Sequence, residues 1–156
     1  MSDLRELYQE VILDHSRQPR NFRRPDHANR EAKGDNPLCG DKVAVFLTIE
    51  DGKVTDVGFQ GRGCAISMAS ASLMTDIVKG KSEAEARALF ERFHDEMIGK
   101  SACHGAAAGE LDKLTVLSGV RAYPMRVKCA TLSWHTLMAA LNNAPNGVST
   151  ESYDRL

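Results

Sequence analysis

From Val43 to Ile49 the chain alternates strictly, with Val43, Val45, Leu47 and Ile49 separated by Ala44, Phe46 and Thr48. A period of two over that length demands a β-strand with one apolar face. Asp51-Gly52 follows at once, a dipeptide preferred in tight hairpin turns because both residues tolerate positive φ. Val54 to Gln60, carrying Val57 and Phe59, is then the returning strand. Phe46 on the second face predicts partial cover there too. An isolated hairpin is marginal in water, so a third strand or a layer of helices must close it.

The rest of the chain supplies helices. Leu4, Leu7, Tyr8, Val11, Ile12 and His15 recur at helical spacing from about Asp3 to Ser16. Ser2 or Asp3 can cap that helix and Pro19 stops it. His15 falls on its apolar stripe and reads as a satisfied histidine at the core edge. A second helix follows Gly61-Arg62-Gly63-Cys64, with Ile66, Ala69, Leu73 and Ile77 on one face and Gly80 as its stop. Ser82-Glu83-Ala84-Glu85 is a capping box for a third, whose buried stripe is Leu89, Phe90, Phe93 and Met97. Leu111, Leu114, Leu117 and Val120 suggest a short helix. Pro124 suits the first turn of a last one, with Leu132, Leu137, Met138 and Leu141 buried. The whole is an α+β fold, a small antiparallel β-sheet covered by helices. Residues 1–156 read as one domain, with a polar tail from about 144.

Lysines and arginines number 20 against 21 acids, a net charge of −1. A near-neutral chain has no general pull toward nucleic acid or an anionic membrane. No apolar run is long enough to span a bilayer and no leader is evident, so a cytoplasmic location is expected. Arg17, Arg20, Arg23, Arg24 and Arg30 lie in an irregular stretch with two prolines and Phe22. That stretch is either a solvated face or a docking patch for an acidic protein.

Four cysteines in a chain without a leader point to reduced thiols rather than disulfides. Asn36-Pro37-Leu38-Cys39-Gly40-Asp41 reads as a tight loop, not a strand, with Cys39 and Asp41 able to face one spot. Thiolate and carboxylate both suit zinc. Cys64 sits at a helix start, where free N–H groups favour thiolate, and Cys129 lies near another with Arg126 and Lys128 just ahead. There are no paired Cys-x-x-Cys knuckles. Spacing alone therefore leaves two readings open, a metal site or unrelated core cysteines. Cys103-His104 could be a nucleophile and base, but adjacent side chains seldom face each other, and an incidental Cys103 is the simpler reading.

Three motifs carry a resemblance. Asn36 to Asp41, Gly61-Arg62-Gly63-Cys64-Ala65-Ile66-Ser67 and Arg126-Val127-Lys128-Cys129-Ala130-Thr131-Leu132-Ser133-Trp134 together resemble the U-type iron–sulfur cluster assembly proteins. The run Leu7 to His15, ending in Pro19-Arg20-Asn21, is similar to that family's first helix, so the likeness spans about residues 4 to 142. The family's scaffold branch has His before its third cysteine and a Leu-Pro-Pro-Val-Lys chaperone motif ahead of it. Here Lys128 precedes Cys129, Tyr123 to Lys128 replaces the motif, and a longer segment including Leu117 to Arg121 intervenes. These departures resemble the SufU branch.

The resemblance implies a SufE/NifU-like (IscU-like) fold and a zinc ion on Cys39, Asp41, Cys64 and Cys129. It implies a PLP-dependent cysteine desulfurase of the SufS type as partner and a SufBCD-type scaffold complex downstream. On this reading the protein is a sulfurtransferase in a relay. Cys39 takes persulfide sulfur once a desulfurase side chain, a histidine, replaces it on zinc. Arg126 and Lys128 are candidates beside the site or at the docking surface. One alternative is a scaffold for a [2Fe–2S] cluster on Cys39, Cys64 and Cys129, or iron in place of zinc. Another is zinc that only holds the fold. A zinc hydrolase is more distant, because neither an open metal position nor a general base is assigned.

Overall fold

The computed structural model describes residues 2–97, 117, 120, 123–143 and 148–149. Cys103-His104, the apolar positions Leu111 and Leu114, and the tail from 144 apart from Val148-Ser149 lie outside the described residues. The elements are α1 (Ser2–Arg17), β1 (Arg30–Asn36), β2 (Asp41–Glu50), β3 (Lys53–Arg62), α2 (Ala65–Val78), α3 (Glu83–Met97), α4 (Pro124–Leu141) and β4 (Val148–Ser149). The sheet order is β3-β2-β1-β4. The first three strands are antiparallel, and the two residues of β4 run parallel to β1.

β2 behaves as its alternation requires. Val43, Val45 and Leu47 are buried on the inner face, opposite Phe59 and Val57 of β3. Phe46, on the other face, is also buried. Residues 18–29 cover it: the Arg24 guanidinium lies 5.1 Å over its ring, and the Arg23 carbonyl crosses so close to Gly58 that a Cβ there would sit 2.2 Å from it. Asn21 O accepts from Phe59 N, which closes part of the β3 edge.

The basic stretch is thus engaged within the chain. Arg20 pairs with Asp14, Arg23 with Asp56 and Arg24 with Glu31, and Arg30 donates to the carbonyl of Leu141. Such solvent-exposed pairs contribute little to stability. The stretch forms a cover over the outer face of the sheet, a role that neither the solvated-face nor the docking-patch reading named.

One expectation is corrected. Asn36 to Asp41 is not all loop: Asn36 ends a strand, β1, that no pattern in the sequence announced, Asp41 begins β2, and the two are the last cross-strand pair around a turn of residues 37–40. β1 has no β-branched residue. Its inward positions are Ala32, Gly34 and Asn36, all buried, because α4 packs directly over β1 and β2 and leaves room only for small side chains.

α2 lies on β3 and α4, α1 packs on α2, and α3 on α4. The capping box forms as read: Ser82 N donates to Glu85 Oε1 at 2.9 Å and Glu85 N to Ser82 Oγ at 3.1 Å. His15 is buried with Nδ1 at 2.7 Å from Ser72 Oγ. Trp134, Leu137 and Leu141 of α4 join the core beside Phe93 of α3. From Cys129 to Leu141 every residue but Met138 is buried, so α4 is a central helix rather than the one-faced one the periodicity suggested. None of the described helices is long and apolar enough to cross a membrane.

His135 of α4 stacks edge-on against Phe90 and His94 of α3. Burial foremost, and the charge of His94 second, push its pKa down from 6.5 to about 3. The unfolded chain therefore takes up this proton first. The stability held above pH 6.5 is progressively lost as pH falls toward 3, by at most about 1.4 kcal/mol per unit. Urea unfolding followed from neutral pH downward is expected to show a flatter acid slope for His135→Leu than for the wild type.

Candidate metal centre

Four elements meet at one end of the sheet. β1 ends at Asn36, residues 37–40 form a turn, and β2 begins at Asp41. Pro37 and Gly40, the latter at φ 74°, make the turn possible. Main-chain oxygen of Asn36 accepts from Cys39 N at 3.2 Å and Gly40 N at 2.8 Å. The turn carries Cys39, half-buried, to the mouth of the hairpin.

Asp41 is fully buried. Its Oδ1 accepts from Cys64 N at 2.9 Å, and Oδ2 lies 3.8 Å from Cys64 Sγ. Cys64 is the N-cap of α2, and its sulfur accepts from Ser67 N at 3.4 Å. Cys129 is fully buried in the second turn of α4, deeper than the helix start expected for it, with Sγ 3.6 Å from Cys39 Sγ. Ligand atoms of Cys39, Asp41 and Cys129 all lie within 4.8 Å of one another. The three described cysteines are free thiols.

Electrostatics fit a cation here. A hydrogen bond from Cys129, before the N–H groups of Ser67 and Ile66, brings the Cys64 pKa down to about 6. The same bond and burial push Cys129 strongly up. One thiolate beside a buried carboxylate is tolerated, and a further one needs a positive charge among them. Arg126, exposed on the first turn of α4, supplies part of it. The charge on Cys64 foremost, then a hydrogen bond to Cys129, hold its guanidinium yet more firmly protonated. Lys128 is half-buried one residue before Cys129.

The donor set suits zinc. Tetrahedral zinc with sulfur near 2.3 Å and oxygen near 2.0 Å places its ligand atoms about 3.5–3.8 Å apart. The observed 3.6 Å between Cys39 and Cys129 and 3.8 Å between Cys64 and Asp41 fall at that spacing. All four sequence candidates are thus neighbours, Cys64 through Asp41.

Two residues here escaped sequence reasoning. Asn36, 1% exposed, donates from Nδ2 to Cys129 Sγ at 3.5 Å. Gly63 passes so close to Asp41 that a Cβ would lie 2.6 Å from Oδ1. The only sequence signal for either was membership of the two cysteine motifs.

The family model for the NifU-like N terminal domain matches residues 7–143. The chain is 38% identical to the iron–sulfur cluster assembly scaffold protein IscU of Streptococcus pyogenes serotype M1, over 94% of this chain and 89% of that one. It is 39% identical to the zinc-dependent sulfurtransferase SufU of Bacillus subtilis strain 168, over 87% and 90%. A crystal structure from Fervidobacterium islandicum AW-1, described as a candidate cluster assembly scaffold for the SUF system, superposes with a TM-score of 0.76 at 34% identity, covering 85% of this chain and 94% of that one.

Proposed function

Because this chain belongs to the NifU-like N-terminal family of iron–sulfur cluster assembly proteins, we propose that it is its zinc-dependent sulfur acceptor: Cys39 takes sulfur from the persulfide of a SufS-type cysteine desulfurase and passes it on toward a SufBCD-type assembly complex. The observation that carries this is the unequal footing of the ligands. Cys129 is built into a helix, Asp41 into a strand, and Cys64 caps α2 through its own sulfur, whereas Cys39 rides on the 37–40 turn. A similar protein is named a zinc-dependent sulfurtransferase.

Zinc held by Cys39, Asp41, Cys64 and Cys129 would supply the positive charge that keeps the sulfurs ionised without a base. Cys39 Sγ, as thiolate, attacks the outer sulfur of the partner's persulfide. The new bond joins Cys39 Sγ to that sulfur. The partner's sulfur–sulfur bond breaks, and its cysteine leaves as thiolate with the electron pair. Asp41, Cys64 and Cys129 hold their places meanwhile. Arg126 faces the negative charge gathered there and favours an incoming anionic persulfide. Leu38 beside Cys39, and Tyr123 and Met125 before Arg126, are exposed apolar side chains. They offer a rim on which a partner protein can bury surface.

The test mixes zinc-loaded protein with the desulfurase and cysteine, then weighs the peptides. The expected result is one added sulfur atom on the peptide holding Cys39. Sulfur found only on the desulfurase overturns the proposal. Names among similar proteins also include a cluster scaffold. Brown colour and visible absorption after supply of iron and sulfide, with no transfer by the zinc form, would favour that second reading.

A further inference from the structure

Resting on the metal-centre reading above, we propose that Asn36 is a positioning residue of this centre: its amide ties the Cys39 turn to Cys129 and marks Cys129 as the sulfur that stays. Asn36 and Asp41 are directly opposed across the hairpin mouth, so their side chains leave one face. Both are buried there, at 1% and 0% exposure. Asp41 reaches Cys64, and Asn36 reaches Cys129.

The amide orientation follows from its partners. Leu38 N can only donate, and it meets Asn36 Oδ1 at 3.2 Å. Nδ2 must then be the group on Cys129 Sγ, at 3.5 Å. A hydrogen bond into a thiolate withdraws electron density and makes it a poorer nucleophile. Cys129 is quieted in this way, whereas Cys39 meets the rim. The same side chain orders the turn through Leu38 N, while its backbone oxygen gathers Cys39 N and Gly40 N. The short amide of Asn36 accepts on one end and donates on the other at this reach.

Asn36→Asp separates the two jobs. It has the same shape and keeps the acceptor for Leu38 N. It loses the donor and turns a negative charge toward Cys129. The experiment uses the full zinc-loaded chain, with zinc affinity read by competition against a chromophoric chelator. Iodoacetamide labelling is mapped by mass spectrometry over time. Wild type is expected to label first at Cys39, with Cys129 protected. Asn36→Asp is expected to bind zinc about tenfold more weakly, with Cys129 labelled nearly as early as Cys39. Asn36→Ser, too short to span both partners, is expected to shift the same way and serves if the charged variant folds poorly. Unchanged affinity and labelling order in the variants overturn the role of Asn36 alone. A wild type whose Cys129 zinc does not protect overturns the metal-centre reading, and this proposal with it.

Discussion

Cys39→Ala is expected to reduce desulfurase turnover to the rate of the desulfurase alone while leaving the fold in place. The sulfur lies on a four-residue turn and is only half-buried. Removing it opens no enclosed cavity, so stability should change by less than about 1 kcal/mol. The remaining donors are Asp41, Cys64 and Cys129, a set expected to hold zinc more weakly. Loss of transfer with retained fold and residual zinc separates a chemical role from a structural one. If zinc merely holds the fold, the variant loses stability and the turnover of the mixture does not move. Turnover equal to wild type with Cys39→Ala would mean that some other group accepts the sulfur, and the proposed function would fall. Cys129→Ala is the contrast. That sulfur is fully buried against Asn36, so its loss should damage both metal binding and packing.

The sheet was legible where side chains alternate and illegible where they are small. Val43 to Ile49 and Asp51-Gly52 announce β2 and β3 because one face must be apolar for a helix layer to cover it. β1, Arg-Glu-Ala-Lys-Gly-Asp-Asn, contradicts every strand preference. It is a strand only because β2 pairs with it and α4 presses on it, and the second of these lies far away in sequence, at residues 124–141. The centre divides in the same manner. The pair Cys39 and Asp41 shares one hairpin mouth, and Cys64 follows a glycine turn into a helix, so these three are local signals. That Cys64 and Cys129 both join the Cys39–Asp41 pair depends on how α2 and α4 meet the sheet. Spacing cannot show this, and the family resemblance supplied it. Asn36 and Gly63 were invisible as actors because their work is a hydrogen bond and a clearance, neither of which leaves a pattern.

Gly63→Ala is expected to weaken zinc binding by about 10–100-fold, although Gly63 offers no ligand atom. Its φ is not in the left-handed region, so alanine meets no backbone penalty there. Space is the constraint. The added methyl would lie 2.6 Å from Asp41 Oδ1, 2.9 Å from Cγ and 3.1 Å from Cβ. Asp41 cannot swing aside without loss, because it is fully buried at the strand start and Oδ1 is held by Cys64 N. Either the carboxylate is driven from its place, or the backbone at 63 moves and takes the N-cap Cys64 with it. Both outcomes disturb two donors at once. Gly63 is itself exposed, so little core packing changes. Gly52→Ala is the control: nothing lies within 4 Å of its Cβ, but its φ is 76°. It should cost about 1–2 kcal/mol of stability through backbone strain and leave zinc affinity untouched. Chelator competition and urea unfolding on the two variants check this. Equal zinc affinity in Gly63→Ala and wild type would show that Asp41 is free to move, against the geometry on which the metal centre rests.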